Sequence, residues 1–397
     1  MKQWLSILKS ELSLIFKDKS ILLTCLLAPI LYAFFIGSIY AEKEVSEIPV
    51  AVVDFDHSNL SRKVSQLINT TEKVAVEGHF SSLEDAMFLF NNLEVQGIVI
   101  LPKDFQKKTM NLAGANIELI LNNTKFLTSN EINKSVQQVV LTVGGGVRMQ
   151  YFISNKIPFE LAKQKAQPIL PVVKSVYNAT NNYGDYLLPI LLILILQQTL
   201  IIGFGQSVIH EFKHGVLNHL ETFNFFGFIK VLSAKSFYYI LLYAAYFFVF
   251  YKLIFPHFSL SFNGSIFLHL VLSALFISVV MLYTILVASF FKTTIGWTEV
   301  MAFSTYPLFL VSGYSWPVDA MPMGLQLFAN ILPSTPYFNV FNALATEGAK
   351  LDNITNGFVH LLVLLLLGYV LLYVRFIFIK LKQSKRSKGS VTLGELN

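Results

Sequence analysis

The chain has a single cysteine, Cys25, in 397 residues. No disulfide can form within it and no cysteine-based metal site can be assembled. Cys25 therefore reads as a small apolar packing residue. Charge is scarce too: 14% of the residues are charged and 54% are hydrophobic, where a soluble chain carries about 25% charged residues. No G-x-x-x-x-G-K-[ST] stretch occurs, so the chain has no phosphate loop of its own for ATP hydrolysis. The Gly144-Gly145-Gly146 run lacks the preceding strand and the following Lys-Ser/Thr of a phosphate cradle. It reads as a hinge in a long helix over 128–166.

Long apolar sequence is what the chain has in quantity, with a mean hydropathy of +0.57. Six blocks, 21–40, 186–209, 236–255, 265–291, 297–314 and 357–379, approach or exceed the roughly 20 residues that cross a hydrocarbon core of about 30 Å. The fifth is the shortest and contains Ser304, Thr305 and Pro307. The first follows a polar leader, holds Pro29 and has no small-x-small cleavage site after it. It reads as a retained span, not a signal peptide. Lys2, Lys9, Lys17 and Lys19 precede it, Lys213, Lys230 and Lys235 follow the second block, and Lys380, Lys382, Lys385, Arg386 and Lys388 follow the last. The positive-inside rule then places both termini in the cytosol. The net charge of +6 forms a basic rim suited to anionic lipid headgroups, not to nucleic acid.

Residues 1–20 have Trp4, Leu5, Leu8, Leu12, Ile15 and Phe16 at helical spacing, the pattern of an amphipathic interfacial helix. Residues 41–183 are polar and charge-balanced and are expected to fold as an extracytoplasmic α/β domain. Strands are expected at 48–56, 95–102 and 116–124, with helices at 58–69 and 81–92. Asp54 and Asp56 read as turn and helix-cap residues before Ser58. The expected fold is thus a polytopic α-helical membrane protein with six transmembrane helices and an inserted α/β domain. Its remaining five spans fall in 184–380, and 381–397 form a basic cytosolic tail.

Within the second block, Gln197 and Gln198 lie mid-span. They either bond to neighbouring helices, worth about 0.6–2 kcal/mol, or line a polar substrate path. At the end of that block His210-Glu211-Phe212-Lys213-His214 fits H-E-x-x-H, in which two histidines one turn apart hold zinc and the glutamate is the general base. A catalytic zinc needs a third ligand, with His219, Glu221, Glu299 and Glu347 as candidates.

Three segments together carry a resemblance to a known family. "VYNATNNYGDYLLP", before the second span, is similar to a Tyr-Asn-Pro stretch through Tyr177, Asn178 and Pro189, with Ala179 in place of proline. After that span, Glu211, Gly215 and Leu220 match a Glu-x-x-x-Gly-Thr-x-x-x-Leu segment, with Val216 for threonine and Leu217 as a further apolar contact. Between the fifth and sixth blocks, 312–344 resemble a re-entrant extracytoplasmic hairpin through Gly313, Pro317, Pro322 and Pro333. Order and motifs together resemble the type-2 ABC exporter permease family.

That resemblance implies a transporter subunit and not an enzyme, with no cofactor bound directly. ATP and Mg²⁺ are used by a separate ABC ATPase subunit docking on 210–235 through Glu211, Gly215, Leu217 and Leu220. It also implies a second permease chain, a homo- or heterodimer, in a bacterial inner membrane, and efflux of drugs, lipids or other amphipathic molecules. The large external domain suits delivery to a periplasmic adaptor and outer-membrane channel in a cell with two membranes. The alternatives are an integral-membrane zinc metalloprotease using His210, Glu211 and His214, and a receptor whose external domain signals inward. A simple receptor has no need of the proline-rich hairpin.

Overall fold

A computed structural model of the chain describes residues 2–41, 45–166, 177–178, 182–214 and 224–394. It divides into two compact units, Met1–Ala41 with Ser175–Asn397, and Glu42–Lys174.

The first unit opens with α1 (Lys2–Lys17). Asp18 ends it and caps α2 (Lys19–Ile39), its carboxylate accepting the N–H groups of Ser20 at 2.9 Å and Ile21 at 3.3 Å. A carboxylate satisfies the free N–H groups of a helix start and complements its dipole. Inside α2, Leu23–Leu27 form a π turn just before Pro29. The widened turn absorbs a residue that has no N–H to donate and whose ring crowds the preceding turn.

The second unit holds a four-stranded sheet, β1 (Ile48–Asp54), β2 (Val74–Phe80), β3 (Gly97–Leu101) and β4 (Glu118–Leu121), in the order β2-β1-β3-β4. β1 is parallel to β2 and β3, and β4 is antiparallel to β3. Alternation along the strands splits their side chains between two cores. Val50, Val52, Val99 and Leu101 pack with α3 (Asn59–Asn69) and α6 (Phe126–Ser154). Ala51, Val53, Ile98 and Ile100 pack with α4 (Leu83–Asn91). The short α5 (Phe105–Met110) and α7 (Phe159–Ala166) complete the unit. β2 is a strand that the sequence reading lacked. It is an edge strand with only Val74 fully buried, so it shows little apolar alternation.

α6 runs unbroken through Gly144-Gly145-Gly146, which corrects the hinge expectation. Glycine costs a helix about 1 kcal/mol relative to alanine. Ile132, Val136 and Val139 before the run and Val147 after it are buried in the core, and this packing holds the helix together.

Asp54 and Asp56 are structural. Asp54 Oδ1 accepts the N–H groups of Asp56 and His57, and its Oδ2 accepts the Ser61 hydroxyl at 2.6 Å. Asp56 Oδ2 accepts the Gln106 N–H at 3.0 Å. Burial raises the Asp56 carboxyl. Hydrogen bonds from the Ser58 hydroxyl and from the backbone of Gln106, Phe105 and Asp104 outweigh that and hold it below the ordinary aspartate value. A depressed folded-state value stabilises the fold above the unfolded value, about 4, and the stabilisation disappears as pH falls through the folded one. Protease resistance of residues 42–174 should therefore favour the parent over Asp56→Asn at pH 6, and the difference should shrink as the pH is taken progressively below the ordinary aspartate value.

The first unit continues with α8 (Tyr183–His214), α9 (Phe225–His257) and α10 (Ile266–Ala288). α11 (Thr294–Val311), α12 (Met323–Ile331), α13 (Ser334–Ala345) and α14 (Leu351–Gly394) follow. Among the described residues, five helices are long and apolar enough to cross a membrane: α2, α8, α9, α10 and Asp352–Lys382 of α14. Six were expected. The fifth apolar block becomes α11, an 18-residue helix whose Thr294, Thr298, Glu299, Ser304 and Thr305 dilute its apolar character. α8 is the central helix, packed against α2, α9, α10 and α11.

In the 312–344 segment the prolines act as helix starts. Pro322 and Pro333 stand immediately before α12 and α13, and Pro317 before a single 3₁₀ turn at Val318–Ala320. Proline is pre-set for that place and loses no hydrogen bond there. Gly313 has φ 90°, and a Cβ on it would lie 2.5 Å from Val318 Cγ2, so only glycine fits.

Candidate functional site

Two polar assemblies lie inside the helical unit, both built on α8. The first joins α8 to α11 by contacts at four-residue steps. The Gln198 amide donates to Met301 O at 3.1 Å and to the Thr305 hydroxyl. One turn on, Trp297 Nε1 donates to Ile202 O at 3.1 Å. One turn further, the Gln206 amide donates to the hydroxyls of Thr298 at 2.7 Å and Ser20 at 3.1 Å. Gly205 lets the buried Trp297 ring lie directly on the α8 backbone. The side-chain oxygens of Gln197, Gln198 and Gln206 are buried with no hydrogen-bond partner among the described residues. Gln198 thus serves the helix contact, and together with Gln197 it still presents acceptor oxygens inside the bundle.

The second assembly lies where three i, i+4 stripes meet. On α1 the buried stripe is Ile7, Glu11 and Ile15. On α8 it is Ser207 and Glu211, and on α9 it is Val231, Lys235, Tyr239 and Tyr243. The Lys235 ammonium pairs with Glu11 and also with Glu211 Oε2 at 3.2 Å. Glu11 Oε1 accepts the Tyr239 hydroxyl at 3.0 Å and the Ser207 hydroxyl at 2.5 Å. Glu11, Lys235 and Glu211 are 1%, 2% and 6% exposed. Buried charges at this depth persist only when paired and hydrogen-bonded.

α1 thus has an exposed apolar face and a separate protein-facing stripe. Leu5, Leu12 and Phe16 are exposed, as an interfacial face should be, while the protein-facing stripe carries a carboxylate. A polar residue at i+4 between two isoleucines was the signal available in the sequence. Its partners lie 196, 224 and 228 positions away, so no local pattern could name them.

The H-E-x-x-H residues separate in space. His210 and His214 are both exposed, their rings 5.2 Å apart, whereas Glu211 turns inward to Lys235. A general base committed to a buried ammonium cannot serve a metal-bound water between those histidines. Among the described residues no group of three or more His, Cys, Asp or Glu is placed to hold a metal ion. His219 and Glu221 lie outside the described residues, as do Gly215, Leu217 and Leu220. The protease alternative is not favoured.

The start of α8 is joined to the 312–344 segment. Asn178 and Asn182 exchange side-chain and backbone hydrogen bonds, and Asn182 Oδ1 accepts the Asp185 N–H at 2.6 Å. The stretch around Tyr177 and Asn178 thus prepares a helix start. Tyr186 and Tyr314 stack at 4.8 Å and each donates its hydroxyl to the other's carbonyl. Elsewhere, Arg375 caps the end of α10 through Ser289 and lies 3.9 Å over the Phe290 ring.

A family model described as ABC-2 family transporter protein matches residues 19–377. The chain belongs to the ABC-2 transporter family. No curated protein matches the chain. The permease is accordingly a multi-pass membrane subunit of a transporter, which fits its not being an enzyme itself, and membership implies an ABC ATPase partner in general.

Proposed function

We propose that this permease is the membrane-spanning subunit of an ATP-driven exporter that moves a drug, lipid or other amphipathic substrate out of the cytosol or inner leaflet. The observation that carries the reading is the family match over 19–377, together with five long apolar helices. Both termini are cytosolic in this reading, the membrane is the bacterial inner membrane, and Glu42–Lys174 is extracytoplasmic. α11 is a further crossing helix, its Thr298 and Thr305 hydroxyls engaged by the Gln206 and Gln198 amides of α8. Two permease chains and two ATPase subunits make the working complex, and a periplasmic adaptor and outer-membrane channel receive the cargo where a second membrane exists.

In this scheme the ATPase docks on 210–235 through Glu211, Gly215, Leu217 and Leu220. ATP and Mg²⁺ are bound by that subunit. ATP shifts the complex towards the state to which the closed ATPase pair binds more tightly, and the difference in affinity drives the change. The acceptor oxygens of Gln197 and Gln198 face polar groups of the substrate along the path. Gly313, Pro317, Pro322 and Pro333 set the re-entrant hairpin on the far side. Non-helical backbone at that depth needs protein cover, and the buried Phe338 of α13, which meets the Tyr314 ring edge-on, contributes to it.

The test is to tag the C-terminus, extract the protein in mild detergent and identify the proteins that accompany it by mass spectrometry. An ABC ATPase should co-purify with the parent and be lost from Gly215→Pro. A parent preparation free of any ATPase would refute the reading.

A further inference from the structure

Glu11 is a carboxylate on an amphipathic surface helix, yet it is 1% exposed. Anchoring α1 in a membrane interface needs only its exposed Leu5, Leu12 and Phe16. Burying an ion is costly before any partner is found, so anchoring does not account for Glu11. α1 also precedes the segment matched by the family, which begins at residue 19.

The arrangement around Lys235 is asymmetric. One ammonium on α9 serves two carboxylates on two other helices, Glu11 of α1 and Glu211 of α8. Glu11 is held on three sides, by Lys235, Ser207 and Tyr239. Glu211 is the last fully buried residue of α8 and stands four positions before Gly215, in the coupling segment. Displacement of that segment acts first on the end of α8 that carries Glu211.

We infer that Lys235 is a latch that carries movement of the coupling segment into α1, which makes α1 a moving part of the transport cycle as well as an anchor. This rests on the permease reading above. Lys235 cannot part from either carboxylate without becoming a less well paired buried ammonium, and such states are costly. Lys235 therefore either follows Glu211, dragging Glu11 and α1 with it, or gives up Glu211 and stays with Glu11. These are two discrete arrangements of one ammonium between two carboxylates, the kind of bistable contact that converts a small displacement into a switch. In both cases the hold on α1 differs between the two states of the complex.

The test uses the full-length permease with the ATPase that co-purifies with it. Amide hydrogen exchange of Lys2–Lys17 is compared without nucleotide and after trapping with Mg-ATP and orthovanadate. Trapping should change α1 exchange severalfold in the parent and in Lys235→Arg, which keeps the charge. Glu11→Gln should retain the ATPase subunit and lose the α1 response. If Glu11→Gln fails to fold, Glu11→Asp, which withdraws the carboxylate by one methylene, replaces it with the same expected loss. An intact complex whose α1 ignores the nucleotide, or a Glu11→Gln complex that responds like the parent, overturns the latch alone. A parent preparation with no ATPase overturns the permease reading as well, and is recognised before any exchange is measured.

Discussion

Lys235→Met is expected to destabilise the permease by about 3–5 kcal/mol, the usual result of removing one partner from a buried ion pair. Among the described residues Lys235 is the basic group that pairs with both Glu11 and Glu211, and without it two carboxylates are left close together in a buried site. The Tyr239 and Ser207 hydroxyls still donate to Glu11 but bring no compensating charge. The penalty comes from the charges left behind, not from a lost attraction. The triple variant Glu11→Gln, Glu211→Gln, Lys235→Met should therefore be far more stable than Lys235→Met alone, because exchanging a whole ionic cluster for neutral groups of similar size is often close to neutral. Thermal unfolding in detergent, followed by size-exclusion, gives the ordering: parent and triple variant close together, the single variant well below or absent. If the single and triple variants melted alike, Lys235 would not be neutralising these carboxylates. Neighbouring substitutions of this kind do not add, so the comparison with the triple variant is needed.

The ease with which each feature was read from the sequence follows the range of the interactions that make it. Apolar blocks report on burial or lipid contact directly, so 186–209 and 236–255 fall inside α8 and α9, and 265–291 matches α10 to within a few residues. Runs such as "IPVAVVD" mark a strand covered on both faces, and β1 is that strand. β2 escaped notice because Glu77, Gly78 and His79 interrupt its alternation at a sheet edge. The triple glycine misled in the other direction: local propensity argues for a break, while Val139 and Val147 tie both sides of it to one core. The candidate site was half visible. Glu211 stood out by its motif spacing, but spacing says nothing of the side on which a helical residue finds its partner. Only the packing of α1, α8 and α9 shows that Glu211 faces inward and His210 and His214 outward. Glu11 and Lys235 were lost among the lysines that set the charge pattern of the two basic segments, since a buried charge and a solvated one are spelled alike.

Gly205→Leu should separate α11 from α8. A Cβ at position 205 would lie 2.2 Å from Trp297 Cε2 and 2.3 Å from its Nε1, far inside van der Waals contact, and Trp297 is fully buried. Its ring meets Phe291 edge-on at 5.2 Å, and its Nε1–H is committed to Ile202 O. The ring cannot tilt without giving up that bond inside the bundle, where an unpaired polar group costs about 1–3 kcal/mol. Overpacking itself adds about 1–3 kcal/mol, and displacing α11 by even one ångström also strains the Gln206–Thr298 and Gln198–Thr305 contacts on either side. The sum places Gly205→Leu among the most damaging single changes in the helical unit. Gly205→Ala, with the same Cβ and nothing more, should already lower the melting midpoint measurably. Trp297→Phe should be mildly destabilising alone and should recover part of the loss in Gly205→Ala, because the smaller ring frees the space and removes the donor that would be orphaned. Equal melting of Gly205→Ala and parent would mean that the indole does not rest on the α8 backbone, and that α11 is held by its hydroxyls alone.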